Sequence, residues 1–257
     1  MTRRREPGTA GGRPTDHVVA PDPGRVVVVG EFDGMHRTHA GLIAHARTLA
    51  SDGAGDAGEV VALVVDAGDA TAHLMNVRRR CELLVLAGVA SATVVRASAQ
   101  LDAHEEVAAA LERLRPGVLL EEPGWGSSAV SPADITTAAI IRHVRRGDVA
   151  HAAALLGRPF ELEGVFEPSS RDVDGARARF VVIDAQAVVP RSGAYAAHLR
   201  TGRRWVGAVV HVGSRRRGRT PIDIEADAVP SDAARQLGVI ALLDRWSPAL
   251  ATGTGSG

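Results

Sequence analysis

A strand–helix alternation that stops at mid-chain constrains this sequence more than any other feature in it. Residues 25–30 (RVVVVG) form a short β-branched run, suited to a strand buried on both faces. A helical pattern follows over 40–50, with Leu42, Ile43, Ala46 and Leu49 recurring at helical spacing, and then a second strand at 59–65 (EVVALVV). Residues 75–87 predict a helix that Gly88 can end, and 91–95 a third strand. Residues 101–114 predict a helix with Val107, Leu111 and Leu114 on one side, and 117–120 a fourth strand. Alternation at this spacing predicts an α/β architecture, a parallel sheet with helices on both faces. Two short helices follow at 132–146 and 148–156, the second with Asp148 as N-cap and Gly157 as its stop. Beyond Arg158 and Pro159 only strand-like runs remain, at 161–166, 179–183, 194–199, 205–212, 221–226 and 237–243. Gly, Ser and Pro punctuate them, which predicts a small antiparallel β-barrel domain. The expected organisation is a tail at 1–24, an α/β domain over 25–158, a β-barrel over 159–247 and a second tail over 248–257.

Composition narrows the function. Lys+Arg and Asp+Glu both number 30, so the formal charge is zero and no global field exists to hold nucleic acid or an anionic membrane. Aromatics at 3% supply no stacking platform for single strands. No apolar run reaches the ~18–20 residues that span a bilayer. All the cations are arginines, which excludes a Walker-A loop, a kinase of the usual protein-kinase type and a lysine Schiff base. Cys81 is the single cysteine, so disulfides within the chain and cysteine-based zinc sites are excluded, and its place among leucines predicts an inert thiol. The first residues carry Arg3, Arg4 and Arg5 with no apolar stretch behind them, which reads as the start of a cytoplasmic protein.

The informative segment is VGEFDGMHRTH, residues 29–39, where the first strand gives way to the first helix. In open α/β sheets ligands bind at the carboxyl ends of strands. Gly30 and Gly34 let the backbone turn closely, and His36 and His39, three apart at the helix start, can face the same way. A helix N-terminus with imidazole donors beside it favours phosphate. A metal shell of His36, His39 and Asp33 is the competing reading; the surrounding glycines suit a phosphate better than a closed ligand set. Asp33 has a bland role open to it as well, fixing the turn.

This segment resembles the nucleotidyltransferase signature G-x-F-D-G-x-H-x-G-H, and in particular the adenylyltransferase domain of the bacterial FAD synthetases, the bifunctional riboflavin kinase/FMN adenylyltransferase family. The match runs through Gly30, Phe32, Asp33, Gly34, His36 and His39, with Thr38 where the family has glycine. The resemblance implies a Rossmann-like nucleotidyltransferase domain whose paired histidines contact ATP phosphates. A second matching stretch is residues 135–160, ITTAAIIRHVRRGDVAHAAALLGRPF. Its end resembles the family's junction G-D-v-x-x-A-x-x-L-L-G-R-P-F/Y. Its start resembles I-S-S-T-x-I-R, with Thr136 and Thr137 at the serines, Ala138 at the threonine, Ile141 at the arginine and Arg142 one place late. By resemblance, then, His36 and His39 are the catalytic pair; Gly30, Glu31, Phe32, Asp33, Gly34, Thr38, Thr136, Thr137 and Arg142 bind the nucleotide; no resident metal is implied.

The β half resembles a riboflavin-kinase barrel without its active site. Residues 192–199 resemble the D-G-V-Y-A strand and 205–214 the Y-x-x-x-x-N-I-G stretch, with His211 in place of asparagine. The P-T-A-N element that holds Mg-ATP is absent, the lone Asn76 lies in the other half, and Asp223 stands near the position of the catalytic glutamate. The family's flavin-side loop is replaced by residues 121–134, in which Trp125 is an alternative stacking group. Arg215, Arg216, Arg217 and Arg219 read as a solvated hairpin tip, and His45, His73, His104 and His151 receive no role. The implied activity is transfer of AMP from ATP, with Mg²⁺, to FMN with release of pyrophosphate. A nucleotidyltransferase for another phosphorylated acceptor and an inactive nucleotide- or flavin-binding regulatory homologue stay open beside it.

Overall fold

The computed structural model describes residues 22–54, 58–66, 68, 71–96, 102–125, 135–167, 177–182, 184–201, 204–226 and 237–246. The expected tails fall outside this set except for residues 22–24, which belong to the first strand. The Asp22 N–H donates to the Arg115 carbonyl at 2.9 Å, and that bond carries the strand past its β-branched part.

The first half runs β1 (Asp22–Gly30), α1 (Arg37–Ala54), β2 (Glu59–Asp66), α2 (Val77–Leu86), β3 (Ser91–Arg96), α3 (Ala103–Leu114) and β4 (Pro116–Glu121). The strands form one parallel sheet in the order β3-β2-β1-β4. The valine run of β1 is completely buried because both faces are covered. Val26 and Val28 pack with Ile43 and Ala46 of α1 and Leu84 of α2, while Val27 and Val29 pack with Val107 and Ala110 of α3. Each buried valine contributes about 1.5–3 kcal/mol of transfer free energy, which explains why four in a row fix this strand at the centre. The chain winds outward from β1 to β3, and α3 then carries it back to β4 on the other side of β1. The order therefore reverses between β1 and β4, and a crevice opens at the carboxyl ends of those two strands.

Helix ends follow local chemistry. Asn76 caps α2 by accepting the Arg79 N–H at 2.9 Å, so residues 75 and 76 stand before the helix and not within it. Asp102 and Glu105 form a reciprocal capping box on α3. Thr136 caps α4 (Thr137–Arg146), which starts five residues later than the sequence pattern predicts because that cap fixes the start. Asp148 caps α5 (Val149–Leu156), and Gly147 and Gly157, both at φ 80°, end the two helices in the left-handed conformation glycine adopts freely.

The second half is a closed antiparallel barrel of β5 (Phe160–Glu167), β6 (Arg177–Val182), β7 (Gly193–Thr201), β8 (Arg204–Val212), β9 (Thr220–Ala226) and β10 (Leu237–Arg245), in the order β10-β5-β6-β9-β8-β7. Alternate residues point inward, as Phe160, Leu162 and Phe166 do along β5. The barrel core does not end at the barrel. Ile140 and Val144 of α4 and Val149, Ala152 and Leu156 of α5 belong to the same apolar cluster. The β2–α2 connection also docks there: the His73 ring meets Asp184 at 2.8 Å, and the His73 backbone exchanges hydrogen bonds with Gln186 and Val188. Among the described residues no helix is long and apolar enough to cross a membrane.

Candidate functional site

The turn between β1 and α1 sits in the β1/β4 crevice. It is a strained turn: Phe32 and Met35 have φ of 51° and 41°, and Gly34 has φ of 84°. Asp33 holds it. Its buried carboxylate accepts the N–H groups of Leu74, at 2.9 Å, and Met75, at 3.1 Å, and lies 3.4 Å from the Arg80 guanidinium. Arg80 is itself buried and donates to the carbonyls of Met75 and Glu31. Asp33 is therefore spent on the turn; its open choice between turn and ligand is resolved toward the turn. Gly34 is required twice over, by its φ and because a Cβ there would stand 2.6 Å from Leu74 Cδ1.

The two histidines do face the same way. Their rings stack with centroids 3.7 Å apart and planes 20° apart. Their surroundings differ. His39 is fully buried: its Nδ1 accepts the His36 N–H at 3.3 Å, which places the proton on Nε2, and Nε2 meets Glu122 Oε1 at 2.6 Å. Glu122 Oε2 accepts the Phe32 N–H at 2.9 Å. The His36 Nδ1 is buried with no hydrogen-bond partner. Burial first, and the neighbouring His39 second, push the His36 imidazole down to about 3, against the pull of Glu122, so its ring is neutral at physiological pH.

Glu122 follows β4 directly and was not anticipated from the sequence. Burial works against its charge, but the His39 hydrogen bond and the Phe32 N–H outweigh burial and hold its carboxyl below the usual range. Glu31 moves the other way, pushed up by burial and then by the charge of Glu122. Gly30 makes the arrangement fit, since a Cβ on it would overlap the Glu122 side chain. The available signal was an acidic pair, Glu121 and Glu122, at the carboxyl end of a strand next to the switch point.

The N-terminus of α4 closes the crevice. Thr38 Oγ1 accepts the Ile135 N–H at 2.9 Å, and Thr137 Oγ1 donates to the Asp33 carbonyl at 3.0 Å. Between these parts lies a cavity of about 220 Å³, lined by Glu31, His36, Thr38, Glu122, Thr136 and Thr137 among others. Of the residues expected at the site, the structure thus places Glu31, His36, Thr38, Thr136 and Thr137 on the cavity, while His39, Gly30, Phe32, Asp33 and Gly34 are buried and do not line it. It does not bring in Arg142. Five residues beyond Thr137, that side chain lies about 140° around the helix, is exposed, and lines a different groove. Among the described residues no arginine lines the His36 cavity.

His36, His39 and Glu122 place ligand atoms within 4.8 Å of one another, as a metal site would. The rings do not converge, however. Two planes 3.7 Å apart and tilted by 20° meet roughly 10 Å away, far beyond the ~2.1 Å of a metal–imidazole bond. The cluster of His143, Asp148 and His151 has the same defect, with rings stacked at 4.2 Å and 13°.

Other sequence candidates resolve into local structure. Trp125 stacks on His104 at 5.1 Å and also lines the His36 cavity, Asp223 pairs with Arg179 at 3.0 Å, and Arg215, Arg216, Arg217 and Arg219 are exposed, with the Arg215 guanidinium donating to the carbonyls of Ala185 and Ala187. Cys81 is half-buried on α2, and burial raises its thiol.

No protein-family model matches this sequence, and no curated protein does. Among solved structures the chain is similar to the crystal structure of a macrolide-efflux protein from Streptococcus pneumoniae, with a TM-score of 0.72 and 22% identity over 86% of each chain. At that identity the likeness shows the fold alone: a four-stranded parallel α/β sheet followed by a six-stranded antiparallel barrel.

Proposed function

We propose that the crevice after β1 receives the phosphates of a nucleotide and that the chain is an adenylyltransferase of the FMN adenylyltransferase type. The observation that carries this reading is the position of the cavity. It lies at the switch point of a parallel sheet, walled by an N-terminal helix turn and by a neutral imidazole with an unpartnered buried nitrogen. In the reaction, a phosphate oxygen of the acceptor, FMN by resemblance, forms a bond to the α-phosphorus of ATP. The bond to the pyrophosphate oxygen breaks, and pyrophosphate leaves with that electron pair. No protein nucleophile takes part, so the chain contributes positioning and charge stabilisation. His36 acts as a neutral donor. Mg²⁺ travels with the triphosphate, held largely by phosphate and water; of the two carboxylates lining the cavity, Glu122 is spent on His39 and Phe32, which leaves Glu31 facing the space.

Glu122 sets a condition on this chemistry. Its carboxylate holds the two donors, Phe32 N–H and His39 Nε2–H, that an anionic ligand at this turn would take. Nucleotide entry therefore displaces Glu122. The same contact, with no cationic side chain among the described residues lining the cavity, favours a second reading: a homologue that binds nucleotide and has lost turnover. Incubation with Mg-ATP and FMN separates them. Matched release of FAD and pyrophosphate, reduced ~10²–10³-fold by His36→Ala, supports transfer. Pyrophosphate released only with another phosphorylated acceptor assigns a different transferase. ATP binding that tightens in Glu122→Gln without product from either protein establishes the second reading.

A further inference from the structure

A separate groove lies between residues 71–72 and the outer side of α4. It has a volume of about 500 Å³ and is lined by Thr71, Ala72, Ala138, Ile141, Arg142, Arg145 and Arg146. The size is within the ~300–1,000 Å³ of small-molecule sites, whereas the His36 cavity at about 220 Å³ is below it. Arg142, Arg145 and Arg146 stand at i, i+3 and i+4, so they share one helix face. Several arginines elsewhere are answered by a carboxylate, Arg25 by Glu59, Arg79 by Glu161, Arg80 by Asp33 and Arg179 by Asp223. Among the described residues these three make no ion pair or hydrogen bond, and none of the described residues lining the groove is acidic. The helix C-terminus accounts for cations at 145 and 146. It does not account for Arg142, a turn earlier, nor for a concave wall opposite.

The geometry points to a binding site for the phosphate end of a phosphorylated small molecule in this groove. Guanidinium forks match phosphate oxygens in bidentate geometry, and an anion there relieves the mutual repulsion of three like charges on one face. Ala72, Ala138 and Ile141 give an apolar floor on which the rest of the molecule can lie. Ile141 and Ala72 in turn pack against the barrel core, so the floor is built in. Ala138 lines both this groove and the His36 cavity, which makes the two adjacent at the first turn of α4. A zero net charge and a confined cluster favour a small molecule over a nucleic acid. The argument stands whether or not the His36 cavity performs transfer.

The test is calorimetric titration without Mg²⁺ of pyrophosphate, ADP, adenosine and a short RNA. It uses the wild-type chain, the double variant Arg142→Gln/Arg145→Gln, the single variant Arg113→Gln as a charge control on α3, and His36→Ala. ADP and pyrophosphate are expected to bind and adenosine not to. The double variant, made both in the wild type and on His36→Ala so that the crevice does not contribute, should weaken ADP at least about tenfold, as loss of a charge-assisted hydrogen bond does, while Arg113→Gln binds as the wild type. Thermal melts of the variants, all at exposed positions apart from His36, confirm that they fold. Equal ADP affinity in the double variant overturns the site. So does equal weakening by Arg113→Gln, or binding of RNA alone. Retention of ADP by His36→Ala, together with a failed transfer assay, would sink the transfer reading and leave this site standing.

Discussion

His36 makes stability depend on pH in a window where most proteins are indifferent. An unfolded imidazole takes up its proton near pH 6.5, whereas the buried, stacked ring of His36 does so at about 3. Between these values the unfolded state binds a proton that the folded state refuses, so stability falls as pH falls. The loss is about 2 kcal/mol between pH 7 and pH 5, with a limiting slope of ~1.4 kcal/mol per pH unit. The groups facing the ring are His39 and Glu122. Glu122 has a depressed pKa, so its own contribution is present above its unfolded value of 4.5 and is lost only below it. The measurement is urea denaturation at pH 7, 6 and 5 for the wild type and His36→Gln. The wild type should lose about 2 kcal/mol more across that span than the variant, apart from a pH-independent offset for the lost stacking. Parallel slopes in the two proteins would refute a neutral, desolvated His36, and with it the view that this ring acts as an uncharged donor.

Asp33→Ala leaves the buried N–H groups of Leu74 and Met75 without acceptors and strips Arg80 of its carboxylate. It should cost about 3–5 kcal/mol by chemical denaturation, with Asp33→Asn costing less because one oxygen remains; a near-neutral alanine variant would place Asp33 outside the turn's support. Gly30→Ala puts a methyl where the Glu122 side chain lies, so it should cost about 1–3 kcal/mol and abolish the slowly exchanging His39 Nε2–H resonance in proton NMR.

The α/β-then-barrel order was legible because burial on both faces leaves an unbroken valine run, as in β1, while a closed barrel leaves alternation, as in β5. The turn at 30–36 was legible for a similar reason: glycines mark backbone that cannot carry a Cβ, and both Gly30 and Gly34 are in that position. Glu122 was not legible. Its role depends on β4 lying beside β1, ninety residues away in sequence, and no local pattern carries that pairing. Arg142 failed for the opposite reason. Its position along the chain suggested the cavity, while the helical rotation from Thr137 turned it into the neighbouring groove. The start of α4 was misplaced because a threonine cap fixed it, where apolar periodicity alone extended the helix toward its N-terminal side.

Helices α4 and α5 have two allegiances. Their start completes the crevice through Thr38 and Thr137, and their apolar side is part of the barrel's interior. The barrel is consequently the foundation on which one wall of the crevice stands, whatever else it does or does not bind. A chain ending at Gly157 would present Ile140, Val144 and Leu156 to water. The two halves thus share one apolar cluster, and the wall of the crevice that bonds Thr38 and the Asp33 carbonyl belongs to a helix seated in it.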